Sequence, residues 1–200
     1  MKKTTAILIA ITCSAALAQE PKNLYPEGDF ESSPQILAPN PSPFTTDPTT
    51  AQEGALYVEP GDYKNKQCSV TVENEAGSSF IRYVAPNGFK GILRTYIALK
   101  LPDPAPASLT ISMRWRLKDY APQADAPEWA SAQNDPAFVL ADGTRKVLNG
   151  TLRLKSNTAE WQEVEKTINV PDGAKMLILQ PGLYCVTGTL DVDDIKVTAE

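Results

Sequence analysis

Histidine is missing from all 200 residues. Its absence removes the Ser-His and Cys-His nucleophile pairs together with the histidine-rich zinc sites. Basic side chains are in the minority, 19 Lys and Arg against 24 Asp and Glu, for a net charge of −5. A surface of that sign supplies no counterion release to nucleic acid and no attraction to an anionic membrane, so neither is an expected partner. Long apolar runs are also lacking. The stretch Ala6–Ile11 falls far short of the ~20 residues that span a bilayer. Helical periodicity is almost absent: Asp125–Gln133 is the one place where a short helix is conceivable.

What is present begins with Lys2 and Lys3, then Ala6–Ile11, then Ala16-Leu17-Ala18. Basic start, apolar middle and small-x-small end predict a bacterial-style secretory leader over residues 1–18, with cleavage before Gln19. Cys13 follows Thr12 rather than the Gly or Ala expected at a lipoprotein site. The remainder is expected to be one exported domain, residues 19–200, periplasmic or extracellular. In such a compartment thiols oxidise, and the two cysteines outside the leader, Cys68 and Cys185, are expected to form a disulfide. The loop it would close is worth about 4–5 kcal/mol in the chain-entropy picture. Two buried thiols are the alternative.

Residues 33–54 carry prolines at 34, 39, 41, 43 and 48 and read as a surface loop, since the strand-like segment Asn23–Glu31 precedes it. From Ala55 the chain reads as short strands. Cys68-Val70-Val72 and Leu109-Ile111-Met113-Trp115-Leu117 alternate with polar residues, so every second side chain faces a core. Asn149-Gly150 between Val147-Leu148 and Leu152 predicts a tight hairpin, because a type I′ turn needs two residues tolerant of positive φ. Asn87-Gly88, Asp142-Gly143 and Pro171-Asp172-Gly173 mark further turns. The expected fold class is all-β, an antiparallel β-sandwich.

Two segments carry a resemblance. The opening Asn23-Leu24-Tyr25-Pro26-Glu27-Gly28-Asp29-Phe30-Glu31, and the closing Trp161-Gln162-Glu163-Val164, Val170-Pro171 and Leu190-Asp191-Val192-Asp193-Asp194-Ile195-Lys196-Val197, resemble in order and spacing the ends of jelly-roll carbohydrate-binding modules of the galactose-binding-like fold, such as the xylan- and glucan-binding ones. The resemblance implies two packed antiparallel sheets and a glycan site on the concave sheet or its adjacent loops. It also implies a structural calcium near the chain ends, with Glu31, Asp29 and Asp194 as the ligands. The sequence departs from the pattern in having no Trp before Trp115.

Sugar recognition needs an aromatic face against pyranose C–H groups, flanked by planar polar groups. Alternation sends Trp115 to the core and projects Ser112, Arg114, Arg116 and Lys118 from the other face, either as a grip for an anionic glycan or as a face paired with carboxylates. Arg94 and Tyr96 share a face of their strand and would join that row, with Arg82, if the register allows. Tyr120 and Trp129 are expected in the loop after the basic strand, with Trp129 the leading stacking candidate. Trp161 is expected to be structural. Glycosidase chemistry is disfavoured: Asp193 and Asp194 are adjacent and alternate in direction, while Glu163 and Glu165 share an exposed face. A lyase using Tyr96 with Arg94 or Arg114 is conceivable, but no catalytic role is expected. The expected function is non-catalytic binding of a poly- or oligosaccharide. The rival is a structural or adhesion protein of the cell envelope that binds another protein.

Overall fold

A computed structural model describes residues 22–31, 36–37, 56–58 and 68–199. The segment read as a secretory leader, residues 1–18, and most of the Pro-rich stretch lie outside them. The strand-like reading of the opening segment is corrected: Asn23 makes one bridge to Thr198, and Pro26–Asp29 is a single 3-10 turn. Pro26 at its start removes a donor that would have no partner there.

In chain order the strands are β1 (Ile36–Leu37), β2 (Leu56–Val58), β3 (Ser69–Glu75), β4 (Ser78–Ala85) and β5 (Ile92–Lys100). There follow β6 (Ser108–Pro122), β7 (Ser131–Asn134), β8 (Ala137–Leu140), β9 (Arg145–Val147) and β10 (Leu152–Leu154). The chain closes with β11 (Gln162–Asn169), β12 (Ala174–Leu179), β13 (Pro181–Tyr184) and β14 (Val186–Ala199). The smaller sheet has the order β11-β6-β14-β4-β3, and the larger runs β10-β7-β13-β5-β12-β8-β9 with β2 and then β1 attached through β5. β1 falls within the segment read from sequence as a surface loop. No helix forms over 125–133, where Ser131 already opens β7.

The core lies between the sheets. Leu109, Ile111, Met113, Trp115 and Leu117 of β6 are all buried in it, as their alternation requires. Leu93, Ile97 and Leu99 meet them from β5, and Tyr83 bridges the sheets through a 2.6 Å hydrogen bond between its hydroxyl and Thr95 Oγ1.

The larger sheet is creased. Leu179 faces Ile97 and Gly182 faces Arg94, so β12 and β13 are two pieces of one line in unbroken register with β5. Asn134 faces Pro181 and Ala137 faces Ile178, so β7 and β8 form a second such line. The ladder is interrupted where Pro136 and Pro181 lack an N–H to donate. β9 and β10 make the third line, returning along β8 and β7.

This corrects the hairpin expected at Asn149-Gly150. The hairpin turns at Asp142-Gly143, where Gly143 N–H donates to Leu140 O and Thr144 N–H donates to Asp142 Oδ1 at 2.8 Å. That second bond holds the Asp142 carboxyl below its ordinary range. Asn149-Gly150 is instead part of a bulge in the returning arm, 148–151, opposite Asp135 and Pro136. Gly150 still adopts the positive φ, 76°, that the sequence signalled.

Cys68 and Cys185 are not bonded to each other. Ser69 pairs with Val84, and Val84 with Thr189, so β4 stands between the two cysteine-bearing segments. Two strand spacings are about 10 Å, beyond the reach of a disulfide.

Candidate functional site

At the crease, the outer face of the larger sheet sinks into a cavity of about 530 Å³. Its lining follows from strand periodicity. Outward positions of β5 supply Ile92 and Arg94, β7 supplies Gln133, β10 supplies Arg153, β9 supplies Arg145 and Val147, and β13 supplies Tyr184. Asp135, Asn149 and Gln180 come from the crease itself, and Trp129 from the loop before β7.

A hydrogen-bonded chain holds the polar floor. Ser131 Oγ donates to Gln133 Oε1 at 2.7 Å, and Gln133 Nε2 donates to Asp135 Oδ2 at 2.9 Å. The other Asp135 oxygen accepts from Gly150 N–H at 2.7 Å. Gln180 N–H donates to Asn134 Oδ1 at 2.6 Å, Gln180 Nε2 donates to Asp135 O, and Gln180 Oε1 accepts from Arg145 at 2.9 Å. Gln180 N–H, Asp135 O and Gly150 N–H, which lie where the ladder breaks, are thus satisfied by side chains. Tyr184 donates its hydroxyl to Gln180 O at 2.8 Å, and the Arg94 guanidinium lies over the rings of Tyr96 and Tyr184, 5.1 and 5.5 Å from their centroids. Gly182 sits opposite Arg94: a Cβ there would come within 2.7 Å of the Arg94 Cα and Cβ. Only glycine permits that approach.

Of the residues singled out from sequence, Trp129 and Arg94 line this cavity, and Trp129 is one of the two large apolar side chains exposed among the described residues, at 42%. Tyr96 is buried in a small apolar cluster with Ala98, Met176 and Ile178. Tyr120 is not in a loop: β6 runs on to Pro122, and Tyr120 N–H donates to Asn157 Oδ1 while its ring packs on the core. Partial burial raises its phenol pKa.

Arg114 and Arg116 lie on the other sheet. There the expected carboxylate pairing is found. Asp191, fully buried, accepts from Arg82 at 2.7 and 3.0 Å and from Arg116 at 3.0 and 2.8 Å. Arg116 also reaches Glu75 at 2.6 Å. The Asp191 bond raises the Arg82 pKa; for Arg116, burial pulls downward, and the bonds to Glu75 and Asp191 outweigh it. Phe80 and Trp161 meet edge to face at 5.5 Å, with the guanidinium of Arg116 4.7 Å and that of Arg114 5.1 Å from the Trp161 centroid. Arg82 belongs to this face, but Arg94 and Tyr96 do not, because β5 is in the opposite sheet. The lyase pairing of Tyr96 with Arg114 is split in the same way.

At Asp193-Asp194 the strict alternation read from sequence fails. β14 bulges after Asp193, Asp194 takes φ 49°, and Arg114 reaches Asp194 at 3.1 Å and Asp193 at 3.9 Å. Burial raises the Asp193 pKa, against the opposing bond from Asp194 N–H. The proposed calcium ligands have separate partners. Glu31 Oε1 accepts from Ser79 N–H at 2.8 Å, Asp29 Oδ1 from Glu31 N–H at 3.2 Å, and Asp194 from Arg114. Among the described residues no three metal-ligating side chains converge. As placed, these residues do not fit a calcium ion, which needs six to eight oxygens and would have to displace a guanidinium from Asp194.

No family profile matches the chain, and no curated protein matches it in sequence. Solved structures do. A carbohydrate-binding module of family 4 superposes with a TM-score of 0.51 at 16% identity, over 87% of this chain and 98% of that one. The C-terminal family 22 module of Clostridium thermocellum Xyn10B gives 0.51 at 12% identity, over 75% and 89%. Its fold is that of the jelly-roll carbohydrate-binding modules. The same sandwich occurs within the enzymatically active domain of bacteriophage CBA120 tailspike protein 4, with a TM-score of 0.57 at 11% identity over 89% of this chain; the chain spans 21% of that protein's length. The jelly-roll resemblance read from the two ends of the sequence therefore holds for the fold. Among the described residues no helix is long and apolar enough to cross a membrane.

The lining residues missed from sequence are Gln133, Asp135, Arg145, Asn149, Arg153, Gln180 and Tyr184. Their signal was Pro136 and Pro181, which stand inside otherwise strand-like stretches and mark where the sheet must crease.

Proposed function

We propose that the chain is an exported, non-catalytic carbohydrate-binding module whose glycan lies in the crease of the larger sheet, against Trp129. The observation that carries this reading is the cavity's composition. An exposed indole stands at a hollow floored by a buried tyrosine, guanidiniums and side-chain amides. That is the pairing of stacking face and planar hydrogen-bonding groups that a pyranose requires. The leader pattern at residues 1–18 supports export, and the fold supports a sugar site without deciding it, since one fold hosts many functions.

The protein-binding rival would be favoured by a flat apolar patch. Among the described residues the exposed large apolar side chains are Trp129 and Val147, and both line the hollow. The test is retention of the purified protein on a panel of insoluble and immobilised polysaccharides. Trp129→Ala should weaken retention about tenfold or more, as loss of a central aromatic anchor does. It should shift stability by no more than about 0.5 kcal/mol, because the side chain is outside the core. A folded wild-type protein retained on none of the panel would give the protein-binding reading first place.

A further inference from the structure

The chain contains two Asn-Gly pairs, Asn87-Gly88 and Asn149-Gly150, and the fold holds their backbones differently. Asparagine followed by glycine is chemically labile in water. The glycine nitrogen attacks the asparagine Cγ, an N–Cγ bond forms as the Cγ–Nδ2 bond breaks, and the nitrogen's proton departs with the side-chain amine as ammonia. Water then opens the five-membered imide at either carbonyl, giving aspartate or, with the main chain rerouted through Cγ, isoaspartate. Glycine favours the attack because no side chain hinders the approach of its nitrogen. The step needs an N–H that can give up its proton and a peptide that can rotate toward the side chain.

Both glycines take positive φ, 87° and 76°, and both asparagines are exposed. The surroundings of the two nitrogens differ. Asn87-Gly88 is the centre of a turn closed by Phe89 N–H donating to Pro86 O at 3.0 Å. The central peptide of such a turn rotates without breaking the closing bond. Among the described residues nothing accepts from Gly88 N–H, and a Cβ on Gly88 would meet no atom within 4 Å. Thr187 Oγ1 lies 3.5 Å from Asn87 Oδ1 and leaves the nitrogen side untouched. Gly150 N–H, by contrast, is taken. It donates to Oδ1 of buried Asp135 at 2.7 Å. Removing that proton would set a second anion against the carboxylate, which disfavours the attack. The same bond pins the peptide that would have to rotate. The Arg153 guanidinium lies over the glycine, 3.2 Å from where a Gly150 Cβ would stand.

We infer that Asn87 is a site of spontaneous modification to aspartate and isoaspartate, and that Asp135 protects Asn149 from the same reaction. Asn149 lines the crease, and an isoaspartate there would add a main-chain atom to the bulge whose N–H fixes Asp135. The bond that holds the polar floor thus also preserves it. At Asn87 the product is a new carboxylate in a hollow shared with Asp119 and Thr189 of the smaller sheet. The inference is independent of what the crease binds.

The experiment follows both pairs in one sample. The purified folded protein is held in mildly alkaline buffer at physiological temperature. Conversion is measured over time by mass spectrometry of the tryptic peptides 83–90 and 147–153, each of which holds one pair. The same two peptides, released beforehand from unfolded protein and incubated in parallel, give the rates without the fold. In the folded protein Asn87 should convert at least about tenfold faster than Asn149, the scale of one hydrogen bond to a charged group, whereas the free peptides convert at similar rates. Asp135→Ala should bring Asn149 toward its peptide rate, and Asp135→Asn, which keeps an acceptor and loses the charge, should fall between. Equal conversion of the two asparagines in the folded protein overturns the inference. So does an equally large difference between the free peptides, which would assign the effect to local sequence. An Asn87 that stays intact while its peptide converts overturns the modification site, and an Asn149 rate unmoved in folded Asp135→Ala overturns the protective role. If neither Asp135 variant folds, the comparison of the folded wild type with its own peptides decides the proposal.

Discussion

Each outer face of this sandwich carries a set of arginines, and the two sets are held by different kinds of neighbour. On the smaller sheet Arg82 and Arg116 converge on buried Asp191, Arg116 also takes Glu75, and Arg114 takes the Asp193-Asp194 bulge. Asp191, Glu75 and the Asp193-Asp194 pair each answer a guanidinium, and Phe80 and Trp161 pack beside them. On the larger sheet Arg94, Arg145 and Arg153 line a hollow, and Asp135, the one carboxylate among its described lining residues, is turned to amide and backbone donors. Residue type alone does not separate these cases. The difference lies in what the cross-strand neighbour offers: Asp191 stands directly between Arg82 and Arg116 in register, whereas Gly182 lies beside Arg94. Carboxylates in register with guanidiniums tie the smaller sheet's face together, whereas the row across the crease holds an amide and a glycine between its arginines.

The largest effect expected from this contrast is on stability. Asp191→Ala leaves two partly buried guanidiniums without their shared partner and should cost about 3–5 kcal/mol, the range for removing one member of a buried ion pair. Urea titration checks it, and a loss below about 1 kcal/mol would show that the smaller sheet's network is no more integral than the crease. The same substitution should leave glycan retention by the folded fraction unchanged, since Asp191 is in the opposite sheet.

A smaller effect concerns pH. Burial holds the Asp193 carboxyl above its ordinary range, so the folded chain binds that proton more tightly than the unfolded one. Stability from this group is present below the unfolded pKa, near 4, and declines as pH rises through the raised folded value. Asp193→Asn should flatten the slope of the urea midpoint over that interval. A slope identical to wild type would assign the pH dependence to another group.

The smallest expected effect is none. With Arg114 on Asp194 and Glu31 on Ser79, chelator should leave the melting temperature unchanged. A drop that calcium restores would mean that Arg114 releases Asp194 to a metal, since a ligand bound only by the native state stabilises by mass action.

Much of the fold was legible because it depends on local period. Leu109 to Leu117 alternate and are buried, and the glycines of Asn87-Gly88, Asp142-Gly143 and Pro171-Asp172-Gly173 all take positive φ in turns. The site was legible in fragments. Trp129 stood out as an aromatic without a core role, and Arg94 as a cation on an outward position. Which arginines line the crease depends on register across strands far apart in sequence, and a strand read by itself does not carry that. The Asn149-Gly150 pair shows the limit well. Its preference for positive φ was right, but the partner of its strand was not Leu152 but the line opposite, and the turn became a bulge.

The clasp at the opening of the domain has a consequence for its connectivity. Asn23 Oδ1 accepts from the N–H groups of Tyr25 and Val197, Leu24 N–H donates to Val197 O, and Asn23 bridges Thr198. The first and last described segments therefore leave the sandwich about one strand spacing apart, roughly 5 Å. A short linker could join them and new ends be opened at the exposed Asp142-Gly143 tip, giving a circular permutant that keeps every sheet neighbour. By the same geometry the domain can be spliced into a surface loop of another protein, entering and leaving at nearly one point.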